Sequence, residues 1–153
     1  MTISSSNLPR EGIFGPAFIV RAGLCLLIVV SGLTLRGFGL GLGLSAFVVK
    51  YGGSALWAAM VFFLVATAAS HASRPSIALI SAAIAVGVEL FRLIHAPWLD
   101  AFRLTSPGAL LLGRIFSPWN MLAYGVGIVL AMGLDRLAVD ALAARLRGHA
   151  GAG

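Results

Sequence analysis

Four long apolar runs, broken by single charges and short polar clusters, set the pattern of the chain: Ala17 to Leu35, Ser54 to His71, Ile77 to His95 and Trp119 to Leu137. Each approaches the roughly 20 mostly apolar residues that a helix needs to cross the hydrocarbon core of a bilayer. Two shorter apolar pieces, Gly37 to Val49 and Pro107 to Phe116, are too short to span and read as re-entrant or interfacial helices. The pattern predicts an all-α integral membrane protein: a compact bundle of about four transmembrane helices, with two short non-spanning helices, over residues 17–137. The pieces outside it are an N-terminal tail, 1–16, and a basic C-terminal tail, 138–153.

Punctuation along the chain supports these limits. Ser73-Arg74-Pro75, Ser106-Pro107 and Ser117-Pro118 each set a serine cap at or near a proline, which suits a helix start because the first turn does not use the missing N–H. Gly37, Gly39, Gly41 and Gly43 alternate with Phe38, Leu40 and Leu42, where an ordinary helix is weak and an irregular turn or a close helix contact is favoured.

Composition strengthens the membrane reading. Hydrophobic residues make up 59% of the chain and charged residues 10%, against roughly a quarter charged in a soluble domain. The first run is longer than a signal-peptide core, carries Arg21, and is followed by Arg36-Gly37-Phe38 instead of a cleavage site, so it reads as a retained span. The single cysteine, Cys25, lies within it and offers no disulfide or cysteine metal site.

A net charge of +6 brings nucleic acid to mind, but the cations are scattered and form no binding face, so no nucleic-acid partner is expected. They suit topology and anionic headgroups better, which makes membrane lipids the expected partners. A four-span layout puts Arg10, Arg74, Arg136, Arg145 and Arg147 on one side and Arg36, Lys50, Arg103 and Arg114 on the other. That bias places both termini in the cytoplasm and the protein in a bacterial inner membrane.

The candidate chemistry centres on Glu89 in the third run. Ala78, Ala82, Ala85, Glu89, Arg92 and Ala96 fall at helical spacing, a small and ionisable stripe that should face protein. An intramembrane carboxylate costs about 2.5 to 3.5 kcal/mol on insertion scales unless it is paired, hydrated or protonated. Arg92 is the nearest partner, with Arg36 and Arg103 as others. The readings left open are a functional carboxylate and an ion pair that locks helix to helix.

Downstream, Asp100 and Arg103 share a side of one helical turn, either as a solvated pair or as the rim of a pocket. His95 is a candidate proton shuttle or a plain interfacial anchor. In the last run Asn120, Tyr124, Gly127 and Ala131 form a polar, small-residue face suited to hydrogen bonding across a helix interface. The candidate polar pocket therefore comprises Arg36, Glu89, Arg92, Asp100, Arg103, Asn120 and Tyr124, open to the outer leaflet.

Tyr51-Gly52-Gly53-Ser54-Ala55-Leu56-Trp57-Ala58, Glu89-Leu90-Phe91, Ala96-Pro97-Trp98-Leu99-Asp100, Arg103-Leu104-Thr105, Gly113 and Trp119-Asn120 with Tyr124 and Gly127 carry a resemblance. In that order they resemble a family of small bacterial membrane proteins with a domain of unknown function, of the DUF2809 type, itself similar to the VanZ-like proteins. The likeness runs from about Gly32 to Leu137. It implies that Arg36, Glu89, Asp100 and Arg103 occupy polar positions usual in the family. Ser54 and Asn120 stand where the resemblance leads one to expect acids, which leaves too few oxygen ligands for a metal site. The VanZ-like likeness implies action at the outer leaflet, through tolerance of glycopeptide antibiotics.

Three functions fit. One is a non-enzymatic protein whose pocket holds a lipid headgroup or a lipid-linked envelope precursor through arginines on phosphate. Another is a small proton-coupled transporter using Glu89, acting as a homodimer because four short spans enclose a pathway poorly. The third is a lipid-modifying enzyme with Glu89 or His95 as acid or base, for which no catalytic motif is present. No catalytic set, cofactor or metal is expected.

Overall fold

The structure is a computed structural model that describes residues 15–111 and 117–150, apart from the side chains of 110, 149 and 150. The tail to residue 14 with Arg10, the stretch 112–116 with Gly113 and Arg114, and residues 151–153 lie outside them.

Six helices and no strand make up the described residues: α1 (Pro16–Phe38), α2 (Ala46–Ala68), α3 (Arg74–Phe91), α4 (Pro97–Leu104), α5 (Ser106–Leu111) and α6 (Pro118–Ala150). Of these, α1, α2, α3 and α6 are long and apolar enough to cross a membrane. Their starts carry local chemistry. Ser45 caps α2 by accepting from the Val48 N–H, and Ser73 caps α3 by accepting from the Ser76 N–H, each at 3.3 Å. Proline opens α1, α4 and α6 in the first turn.

Three boundaries differ from the sequence reading. The segment 37–49 is not a helix of its own: α1 runs on to Phe38, a turn follows, and α2 begins at Ala46. Gly43 makes that turn possible with φ +82°, the left-handed region that side chains disfavour. The third span stops at Phe91 rather than His95, because the chain must break before Pro97 opens α4. The basic tail is no separate segment, since α6 carries its helix through to Ala150. Of the second short piece, Ser106–Leu111 is helical as α5.

Helix α2 is the centre of the bundle, packed against α1, α3 and α6. Ala58, Phe62, Phe63 and Ala66 of α2 meet Ile77 and Ala85 of α3 and Tyr124, Ile128 and Ala131 of α6 in one core. Gly127 sits directly on the Ala55 backbone of α2, where a Cβ would collide with the Ala55 carbonyl. That missing side chain lets the two helices approach closely. By contrast α1 buries only Arg21 and Ile28. Leucine, isoleucine and valine cover the outward faces of all four long helices, the ordinary state of a surface solvated by acyl chains.

Candidate functional site

Glu89 lies on the inner face of α3 in the stripe Ile77, Ser81, Ala85, Glu89, all buried at a spacing of four. The predicted alanines Ala78 and Ala82 flank this stripe, half-buried. The Glu89 side chain is 0% exposed and meets four donors. Oε2 accepts from Arg92 Nη1 at 2.5 Å and from the Tyr124 hydroxyl at 2.9 Å. Oε1 accepts from the Ser117 N–H at 2.7 Å and from Asn120 Nδ2 at 3.4 Å. An ionised carboxylate has about four acceptor positions, so the chain itself satisfies the group.

Each donor has a reason to be there. Arg92 lies one turn along from Glu89, and its Nη2 also donates to the Tyr124 hydroxyl at 3.0 Å, closing a ring of three side chains. Ser117 immediately precedes α6, so the carboxylate sits at a helix N-terminus, where unsatisfied N–H groups and the helix dipole favour negative charge. Trp57 of α2 packs on the Tyr124 ring, centroids 5.5 Å apart, and steadies it. Ser54 and Asn120, the two departures from the resemblance, are bonded to each other, Oγ to Oδ1 at 3.2 Å.

The other predicted pocket residues lie elsewhere. Arg103 is 3% exposed and donates to the carbonyls of Phe91 and Ile94 at 2.7 and 2.8 Å and to Asp100 at 3.1 Å. It ties α4 to the C-terminal end of α3, where a cation also suits the dipole. The other carboxylate oxygen of Asp100 is 3.4 Å from exposed His95. Arg36 is exposed on α1 and belongs to no described ion pair. The structure thus gathers Glu89, Arg92, Asn120 and Tyr124, sets Asp100 and Arg103 in a neighbouring group, and leaves Arg36 apart.

A second ionic cluster was not anticipated. Asp135 of α6, 0% exposed, accepts from Arg21 of α1 at 2.7 and 3.2 Å and from Arg74 of α3 at 2.9 Å. Arg21 also donates to the Ala66 carbonyl of α2 at 2.9 Å, and Arg74 reaches Asp140 at 2.6 Å. Two cations and two anions balance, and all four long helices are joined. The signal was in the sequence: Arg21 within the first span and Asp135 within the last are opposite charges that a bilayer forces to pair.

Residues 43–128, more than half of the chain, match the family described as "Protein of unknown function (DUF2809)". The chain belongs to that family. Its matched region takes in α2 to α5 and the first third of α6, and so all of the Glu89 cluster, while Arg21 and Asp135 fall outside it. No solved structure matches the chain.

Proposed function

We propose that this DUF2809 protein is a non-enzymatic multi-pass membrane protein that binds a phosphate-bearing lipid headgroup, or a lipid-linked envelope precursor, at the end of the bundle holding Glu89. The observation that carries this reading is the distribution of charge. Both buried clusters hold carboxylates satisfied by the chain's own donors, whereas Arg36 and Lys50, at the facing ends of α1 and α2, are exposed and enter no described ion pair. Guanidinium and ammonium groups at a membrane surface attract phosphate. The Glu89 ring then serves as a fixed clasp beneath the headgroup site, joining α3 to α6. A carboxylate already accepting four hydrogen bonds makes a poor general base. The small arginine bias favours an outer-side position for this end in a bacterial inner membrane, and the VanZ-like analogy points to the same leaflet by likeness alone.

Native mass spectrometry of the purified protein tests the reading. Wild type should retain one class of phosphate-bearing lipid, and Arg36→Gln/Lys50→Gln should lose it while keeping its melting temperature. Identical lipid profiles in the two would overturn it.

A proton-coupled transporter is the second reading, favoured by the burial of Glu89 against Tyr124 and Arg92 on a span. Proton uptake into proteoliposomes that disappears in a folded Glu89→Gln variant would replace the first reading with this one.

A further inference from the structure

The connection between α1 and α2 is unlike a water-facing loop. From Gly37 to Val49 it holds no charge, and its one polar side chain, Ser45, is engaged in capping α2. The backbone closes on itself, with Leu44 N–H donating to the Gly39 carbonyl at 3.0 Å and Gly43 N–H to Leu40 at 3.1 Å, so the side chains splay outward. Phe38, Leu40, Leu42 and Phe47 are 67, 62, 75 and 68% exposed. A contiguous apolar patch of this kind marks contact with a partner. It is also continuous with the lipid-facing surface below it, where Val30 and Leu33 of α1 are exposed as well.

Two cations bracket the patch. Arg36 lies in the last turn of α1, and Lys50 lies in the early turns of α2, its ammonium 5.1 Å from the centre of the Tyr51 ring. Tyr51 in turn packs on Phe47, centroids 4.6 Å apart. Long cationic side chains set about one turn below an apolar tip can extend along it to reach phosphate.

We infer that the α1–α2 tip is immersed in a lipid leaflet, its leucine and phenylalanine side chains among the upper acyl chains and Arg36 and Lys50 extending outward past them to the headgroup phosphates. The partner is the lipid surface itself. The patch carries no polar group that would fix the register of a second protein, and its continuity with the lipid-facing helix surfaces extends one solvent over both. Between Ala46 and Ser54, the α2 residue bonded to Asn120, the helix rises about 12 Å. Immersion of the tip therefore carries the Glu89 cluster into the hydrocarbon and away from the water interface.

Single-cysteine variants test this in nanodiscs of phosphatidylcholine and phosphatidylglycerol, which leave both faces of the bilayer open to the reagent. Leu42→Cys and Phe47→Cys report the tip, and Gly148→Cys near the far end of α6 is the control, all in a Cys25→Ala background. If that background does not fold, the same variants keep Cys25 and the labelling of the parent is subtracted. The tip cysteines should react with a membrane-impermeant maleimide about tenfold or more slowly than Gly148→Cys, since the charged reagent must enter an apolar layer. An environment-sensitive fluorophore there should emit to the blue and be quenched by a nitroxide high on the acyl chain. Labelling at the control rate with water-like emission would overturn the inference. Blue emission without lipid quenching would also overturn it, by giving the tip to a second copy. The inference rests on the headgroup reading only for the phosphate contacts. A quenched tip on a protein that retains no lipid selectively would sink the proposed function and leave immersion standing.

Discussion

At the scale of the residue, Glu89 decides how the polar chemistry is understood. Its oxygens are filled by Arg92, Tyr124, Asn120 and the Ser117 N–H, and removing one partner of a buried pair costs more than the pair contributes. Glu89→Leu should therefore destabilise the protein by about 3 kcal/mol or more, read as a drop in unfolding free energy in detergent. Arg92→Leu should do the same. The double variant should lose clearly less than the sum, because no uncompensated charge is left behind. Additive losses would show that the two side chains act independently. Arg103 belongs to a different calculation. Its guanidinium closes the carbonyl end of α3, so Arg103→Ala should cost about 1 to 3 kcal/mol, the penalty of part-buried carbonyls losing a charged donor.

At the scale of the element, the hydropathy pattern located all four long helices, because a bilayer demands an uninterrupted apolar run whatever the packing. Their ends were less legible. Glycine alternation from 37 to 43 fitted either an irregular turn or a close helix contact, and whether it would stand as a separate short helix depended on how far α1 and α2 continue, which propensity does not say. In α6 the small-residue face at Asn120, Tyr124, Gly127 and Ala131 was readable from spacing, and it packs inward with all four residues buried. Gly127 lies directly against the Ala55 backbone of α2. Gly127→Val should force them apart and cost about 1 to 3 kcal/mol. Gly125→Ala, with open space around it, should leave the melting temperature unchanged. A Gly127→Val protein as stable as wild type would mean that the helices separate freely at this point.

At the scale of the whole molecule, the bundle is fastened at two levels by buried ionic clusters that each engage α6, and only one of them was visible beforehand. Glu89 stood out because its run holds no other charge before Arg92; Asp135 was hidden by its surroundings, since Arg136, Asp140 and Arg145 make that stretch look solvated. Burial separates the two acids of the second cluster: the side chain of Asp135 is 0% exposed and that of Asp140 is 55% exposed. Asp135→Ala should cost about 3 to 5 kcal/mol by stranding Arg21, whereas Asp140→Ala should fall within about 1 kcal/mol of wild type. Equal effects would contradict the burial of Asp135.

The Arg21–Asp135 bond also links positions 114 residues apart in the chain. At a synthesis rate of about 5–20 residues per second, Arg21 is made some 6 to 23 s before its counter-charge. Arg74 waits too, for less time. During that interval the first three spans hold arginines that no carboxylate yet answers, so a nascent chain halted before α6 is electrically incomplete and open to capture by membrane quality control.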